Sequence, residues 1–181
     1  NKGKVQGELK SYNANGKLKS VMNFKDDRKN GRQKDYFMNG NLKRDAPFKD
    51  DKYDGRVVQY YNNGALQSEH DYVAGVNNGK VKTYFQNGNP DLDIDAKNDK
   101  IDGKIIQYDA HGYVTMRSDA KTGEKDGQYI TYFANGQIKS KGILHQGKGD
   151  GKWVYYDENG KKLKECDFVK GDEVGNAKEY Y

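Results

Sequence analysis

Gly55-Arg56-Val57-Val58-Gln59-Tyr60-Tyr61-Asn62-Asn63-Gly64 is the stretch that decides the fold. A glycine opens it, an aromatic pair stands near its end, and Asn-Gly closes it. The same frame returns at 31–40, 79–88, 127–136 and 151–160. The opening glycines Gly7, Gly31, Gly55, Gly79, Gly103, Gly127, Gly151 and Gly175 lie 24 residues apart, and the closing glycines, Gly16 through Gly160, keep the same period. A tyrosine stands four residues before each closing glycine, from Tyr12 to Tyr156, and Tyr180 continues the series. A fixed period over the whole chain marks a repeat architecture. Repeats build surfaces far more often than active sites, so the period bears on function as well as on fold.

Each repeat reads as a hairpin. Asn-Gly between strand-forming residues is the strongest short-range hairpin signal, because a type I′ turn needs positive φ at both central residues. The tips so identified are Asn15-Gly16, Asn39-Gly40, Asn63-Gly64, Asn87-Gly88, Asn135-Gly136 and Asn159-Gly160, with His111-Gly112 as the variant. For the second turn there are two candidates. One is the Asp-Gly of Asp54-Gly55, Asp102-Gly103, Asp126-Gly127 and Asp150-Gly151. The other lies at Ala74-Gly75, Thr122-Gly123, Gln146-Gly147 and Lys170-Gly171, with Asp26-Asp27 and Asp50-Asp51 in its place earlier. The second makes the two strands nearly equal and is preferred. It puts the opening glycine inside a strand, where it marks a bulge or makes room for a neighbouring ring.

Pairing parity then sorts the side chains. A two-residue turn at Asn63-Gly64 pairs Tyr61 with Leu66 and Gln59 with Ser68, and paired residues share a face. One face carries Val57, Tyr61, Leu66, His70 and Tyr72 and is expected to be the packed one. The other carries Tyr60 and Val58, with Lys10, Lys34, Lys82 and Lys178 in place of the aliphatic residue in other repeats. About fifteen strands at roughly 4.8 Å spacing would not stay flat, so the sheet is expected to twist and curl. Pro90, Ala96, Asp109 and Ala120 weaken the repeats from Gly79 and Gly103, where a bend or softer section is expected.

Composition agrees with a thin fold. Hydrophobic and charged residues make up 33% each, close to a disordered chain, yet aromatics reach 12% in register and there are only 2 prolines. Rings of about 150–250 Å² each are expected to carry the burial. The charge of +5 is mixed, 32 basic against 27 acidic residues, which speaks against a specific nucleic-acid partner. The single Cys166 excludes an intrachain disulfide and a multi-cysteine metal site. No stretch approaches the roughly 18 apolar residues of a membrane span. His70, His111 and His145 occupy three different repeat positions, and no nucleophile–base or metal-ligand spacing recurs, so no catalytic residue, cofactor or metal is expected. Asp93 and Asp95 share a strand face but fall short of the six to eight oxygens Ca²⁺ gathers.

The pattern Tyr-Phe-x-Asn-Gly-x-Leu, a turn, then Asp-Gly-x-x-x-x-Tyr-Tyr resembles the MORN-repeat family, in the bacterial variant grouped as YwqK-like antitoxins. Residues 151–160 match it best, while Asp26-Asp27, Asp50-Asp51, Pro90 and Asp109 depart from it. The resemblance implies an elongated, curled sheet of hairpins that serves protein–protein contact, dimerisation or attachment near lipids. The expectation is therefore an all-β, elongated, curled single-layer antiparallel sheet of tandem 24-residue β-hairpin repeats. Residues 1–181 would form a single repeat domain of about seven to eight hairpins, a fragment of a longer chain, with an exported or cell-envelope setting favoured over the cytoplasm. It would be a non-catalytic scaffold that binds another protein along an extended face, antitoxin-like or part of a larger assembly. Phe37, Tyr61, Phe85, Phe133, Trp153 and Tyr155 are the expected anchors, because large rings dominate interface energetics. Exposed edge strands invite self-association. The alternatives are a glycan or cell-surface module using aromatic rows such as Tyr60, Tyr84 and Tyr132, and a membrane-proximal lipid-associated adaptor.

Overall fold

Residues 3–181 are described by a computed structural model. They form two units, one ending at Asn89 and one beginning at Pro90. The first holds β1 (Gly7–Tyr12), β2 (Leu18–Lys25), β3 (Arg28–Lys29), β4 (Gly31–Tyr36), β5 (Leu42–Lys49), β6 (Lys52–Tyr53), β7 (Gly55–Tyr60), β8 (Leu66–Val73) and β9 (Val76–Tyr84). The second holds β10 (Pro90–Lys97), β11 (Lys100–Tyr108), β12 (Val114–Lys121), β13 (Glu124–Tyr132), β14 (Ile138–His145), β15 (Lys148–Tyr156), β16 (Lys162–Val169) and β17 (Asp172–Glu179). Within each unit the strands pair antiparallel in chain order, as a meander. β3 and β6 are short pieces that the later repeats absorb into one longer strand.

The type I′ conformation expected of the Asn-Gly tip is found at the other tip instead. At the Asn-Gly tip, the Tyr61 amide donates to the Ala65 carbonyl at 2.8 Å and the Gly64 amide to the Tyr61 carbonyl at 2.9 Å. Gly64 has φ +88°, whereas neither Asn62 nor Asn63 has positive φ. This is a three-residue loop, a type I turn closed by a left-handed glycine, rather than a type I′ turn. Tyr60 therefore pairs with Leu66, and a register shift beyond it returns Gln59 to Ser68. The extra loop residue and the bulge offset each other, so pairing parity holds away from the tip and fails at Tyr61 and Leu66. The I′ turns are at the other tips. Both central residues have positive φ at Asp26-Asp27 (52° and 69°), Ala74-Gly75 (50° and 88°) and Thr122-Gly123 (53° and 103°). The preferred second turn is thus the observed one.

Asp-Gly is not a turn; its two residues serve two other purposes. The Asp54 carboxylate accepts from the Ala74 amide at 3.1 Å, and Asp126 accepts from Gln146 at 3.2 Å, so each caps the next I′ tip 20 residues later. The glycine sits in a bulge of left-handed backbone. A Cβ on Gly79 would stand 2.8 Å from the Cβ of Asp71, and one on Gly103 would stand 2.7 Å from that of Asp95. The space is taken by a carboxylate rather than a ring. Asp71 accepts from the Lys80 amide at 3.2 Å, Asp95 from Lys104 at 2.8 Å and Asp119 from Gln128 at 3.1 Å. These bonds satisfy backbone donors that the bulge removes from the ladder.

The expected curl is corrected: within each unit the sheet is open and uncurled. A sheet wraps around a dry face, and here burial is shared between both faces. Trp153 and Val154 are consecutive in β15, point to opposite sides, and are each 8% exposed. Among the described residues no large side chain falls below 2% exposure, and the small Ala46, at 0%, is the most enclosed. The burial is also less aromatic than expected. Ala46, Val57, Val81, Ile94, Ile105 and Met116 are buried, while most rings are half-buried. Rings cluster only locally: Phe48, Tyr53 and Tyr72 at centroid distances of 4.6 and 5.1 Å, and Trp153 with Tyr129, Tyr155, Phe168, Leu144 and Cys166.

Candidate functional site

Four of the six expected anchors occupy one structural position, the base of an Asn-Gly loop. The amides of Phe37, Tyr61, Phe85 and Phe133 donate to the carbonyls of Asn41, Ala65, Asn89 and Gln137, each at 2.8 Å. All four rings are half-buried. Lys43 Nζ lies 5.7 Å from the centre of the Phe37 ring and Lys139 Nζ 5.7 Å from that of Phe133. The Tyr61 hydroxyl donates to the Tyr84 carbonyl at 2.7 Å, tying one repeat to the next. Asp109 and Asp157 take the same position in other repeats. Their carboxylates accept from two loop amides each: His111 and Tyr113 at 2.9 and 3.0 Å, and Asn159 and Lys161 at 2.9 and 2.8 Å. Where a ring stands at the base, the tip asparagine does this work: Asn39 accepts from the Asn41 amide at 2.9 Å and Asn63 from Ala65 at 3.0 Å. The asparagine amide also reaches the next tip, from Asn39 to the Asn62 carbonyl at 3.0 Å and from Asn135 to that of Glu158 at 2.7 Å. The recurrence of Asn at this site is thereby explained, and the exposed His111 is the variant that caps through Asp109.

The other two anchors lie elsewhere. Trp153 is interior to its face, 8% exposed, with Nε1 donating to the Ile143 carbonyl at 3.2 Å. Gly142 admits it: a Cβ there would stand 2.3 Å from the indole Cδ2. Tyr155 is half-buried beside it, ring centres 6.4 Å apart, and burial pushes its hydroxyl above the ordinary pKa. Burial likewise pushes the Cys166 thiol up, which keeps it protonated and unreactive at neutral pH. On the opposite face the recurrent tyrosines are engaged by charge. Tyr84 donates to Glu69 and Tyr180 to Glu165, each at 2.9 Å, and Lys141 lies 5.6 Å from the centre of the Tyr156 ring. Cross-strand ion pairs fill remaining positions there, including Arg56–Asp71 at 2.8 Å, while Arg44–Asp35, at 2.6 Å, lies on the other face, where Arg44 also donates to the Tyr53 hydroxyl. Both Asp71 and Asp119 are held below the usual carboxylate range, chiefly by hydrogen bonds from Arg56 and Lys104.

Among the described residues, no group of three or more His, Cys, Asp or Glu is placed to hold a metal ion, and no helix is long and apolar enough to cross a membrane. The arrangement offers rows of side chains on edges and faces, each ring set in place by backbone bonds. No expectation from the sequence covered the capping carboxylates Asp54, Asp102 and Asp126. Their 20-residue offset from Ala74, Thr122 and Gln146 was present in the chain but is readable only once the neighbouring strand is known.

Comparison with known proteins bears on the repeat itself. The family model for the MORN repeat variant matches residues 5–26, 29–50, 53–74, 125–144 and 149–170, more than half of the chain. No curated protein matches it. The unmatched 75–124 still has the same elements: Pro90 begins β10, and the Asp109 loop closes with its amide donating to the Tyr113 carbonyl at 2.9 Å.

Proposed function

This chain belongs to the MORN-repeat family, and on that premise we propose that it is a non-catalytic scaffold that holds another protein against rows of ring side chains. The observation that carries the reading is the row of Phe37, Tyr61 and Phe85 at successive loop bases of the first unit. Two strands separate each ring from the next, roughly 10 Å at ordinary strand spacing. Rings held in place by backbone bonds lose little freedom on binding, which favours them as anchors. Phe133 repeats the position in the second unit, and Tyr155 is one of the half-buried rings packed on the Trp153 cluster, with Tyr129 and Phe168. Trp153 supports that surface from beneath.

In its finer form, the partner is a toxin that the scaffold masks. One experiment addresses both levels. The purified chain is used as bait in native cell extract, and retained proteins are identified by mass spectrometry. We expect a single stoichiometric protein. Phe37→Ala, Phe85→Ala and Phe133→Ala should each weaken its binding by about 1–4 kcal/mol, the range of interface hot spots, with the circular dichroism of the bait unchanged. An empty capture together with retention on cell-wall glycan would overturn the reading in favour of a sugar platform.

A further inference from the structure

On one face of the second unit two cations stand between aliphatic neighbours rather than opposite carboxylates. On the side opposite Trp153, cross-strand neighbours run Asp93, Ile106, Arg117, Ile130, Lys141, Val154 and Glu165 from β10 to β16. The same line in the first unit alternates differently: Lys34 pairs with Asp45, and Glu69 with Lys82. There a cation meets a carboxylate. In the second unit Arg117 and Lys141 each lie between two aliphatic residues. Arg117 is exposed and makes no ion pair among the described residues. Lys141 is exposed and rests on the Tyr156 ring. The nearest carboxylate on β12, Asp119, is committed to Lys104 at 2.6 Å and to the Gln128 amide at 3.1 Å. Ile106, Arg117, Ile130 and Tyr132 line a shallow groove in this face.

We propose that Arg117 and Lys141, with Ile106, Ile130 and Val154 between and beside them, dock an acidic amphipathic helix of a partner protein. The proposal rests on the scaffold reading and names the chemistry of one partner element. Geometry selects the helix. The two cations stand two strands apart, roughly 10 Å. Residues seven apart on a helix are separated by about 10 Å and share a face, with the residues three and four apart between them. Glutamates at i and i+7 would meet the cations while apolar residues at i+3 and i+4 cover Ile130. Charge limits the alternative. On this line Asp93 and Glu165, the latter paired with Lys162, stand beyond the two cations, so a continuous polyanion laid across the strands would meet a carboxylate at either end before any further cation on the line.

The test uses the whole chain and a fluorescein-labelled synthetic helix with Glu at i and i+7 and Leu at i+3 and i+4, followed by anisotropy. We expect saturable binding that weakens with salt, at least tenfold loss in the double variant Arg117→Glu/Lys141→Glu, and no change in Lys19→Glu. Replacing both peptide glutamates by glutamine should lose as much. Equal affinity of the double variant, no binding of the helix, or equally tight and equally Arg117-dependent binding of polyglutamate would each overturn the proposal. The two readings fail separately. A partner captured as above that still binds the double variant sinks this site and leaves the scaffold standing. Failure to capture any protein sinks the scaffold.

Discussion

His70 shows how a single side chain departs from its repeat equivalents. Its ring lies between Val57 and Val81 on neighbouring strands, stacks on Tyr72 at 6.2 Å, and has Nδ1 3.3 Å from the side-chain Nδ2 of Asn77. Burial lowers its pKa, and the adjacent Asp71 only partly opposes this. A lowered folded value means that the unfolded chain takes the proton first. The stability His70 lends is complete above the ordinary imidazole value of about 6.5 and declines as pH falls through it. Urea midpoints at pH values above and below that point should therefore differ, and His70→Gln should flatten the difference. An unchanged slope in the variant would place the pH dependence elsewhere. Trp153 and Gly142 give a second residue-scale test. Trp153→Ala should cost about 3–5 kcal/mol as a buried ring lost from a packed site. Gly142→Ala should cost about 1–3 kcal/mol by overpacking, since its Cβ would lie 2.3 Å from the indole. The lone tryptophan reports both by its own fluorescence or by its loss.

At the scale of the hairpin, the two tips obey different rules. The Asn-Gly loops are shaped by side-chain caps, whereas the I′ tips are shaped by backbone and by the strand beside them. Gly75 donates to the Tyr53 carbonyl at 2.7 Å, and Gly123 to that of Ile101 at 2.8 Å. The neighbouring repeat thus holds residues in a conformation they would not choose. Thr122 is a β-branched residue at φ +53°, a position for which asparagine is far better suited. Thr122→Asn should raise stability by about 1 kcal/mol in urea titration. A loss of stability would mean that the threonine side chain makes a contact of its own. Gly103→Ala should act in the opposite sense, because its Cβ would sit 2.7 Å from Asp95 in left-handed backbone. Destabilisation should be accompanied by faster amide exchange at Lys104, whose cap is displaced.

At the scale of the whole molecule, the period is the unit of design. Each repeat bonds to its neighbours through contacts 20 to 23 residues apart, as from Ala74 to Asp54 and from Asn39 to Asn62. Stability is then a sum of local terms and neighbour interfaces. Removing residues 31–54, one full period of 24, keeps every later residue on its face. That deletion should leave the β-sheet circular dichroism intact and lower the urea m-value. Removing 31–53 shifts the following strands by one residue, which exchanges their faces. It should abolish cooperative unfolding. If both deletions behaved alike, register would not be set by the repeat.

The chain by itself determined the period, the positions of both hairpin tips, the pairing parity of Val57, Gln59, Ser68 and His70, and the absence of any recurring catalytic spacing. These follow from patterns that each residue carries alone or with near neighbours. Tertiary structure decided the rest. It gave the type I loop to Asn-Gly and the I′ turn to Ala74-Gly75, because the Asn63 carboxamide caps its own loop while the Tyr53 carbonyl waits for Gly75. It filled the space beside Gly79 and Gly103 with Asp71 and Asp95, and it set Trp153 into the gap left by Gly142. It also divided burial between two faces, as Trp153 and Val154 do, which removes the reason for a sheet to curl. Apart from the local Asn63 cap, these depend on groups brought from a neighbouring strand, and their meaning appears only when that strand has been laid alongside.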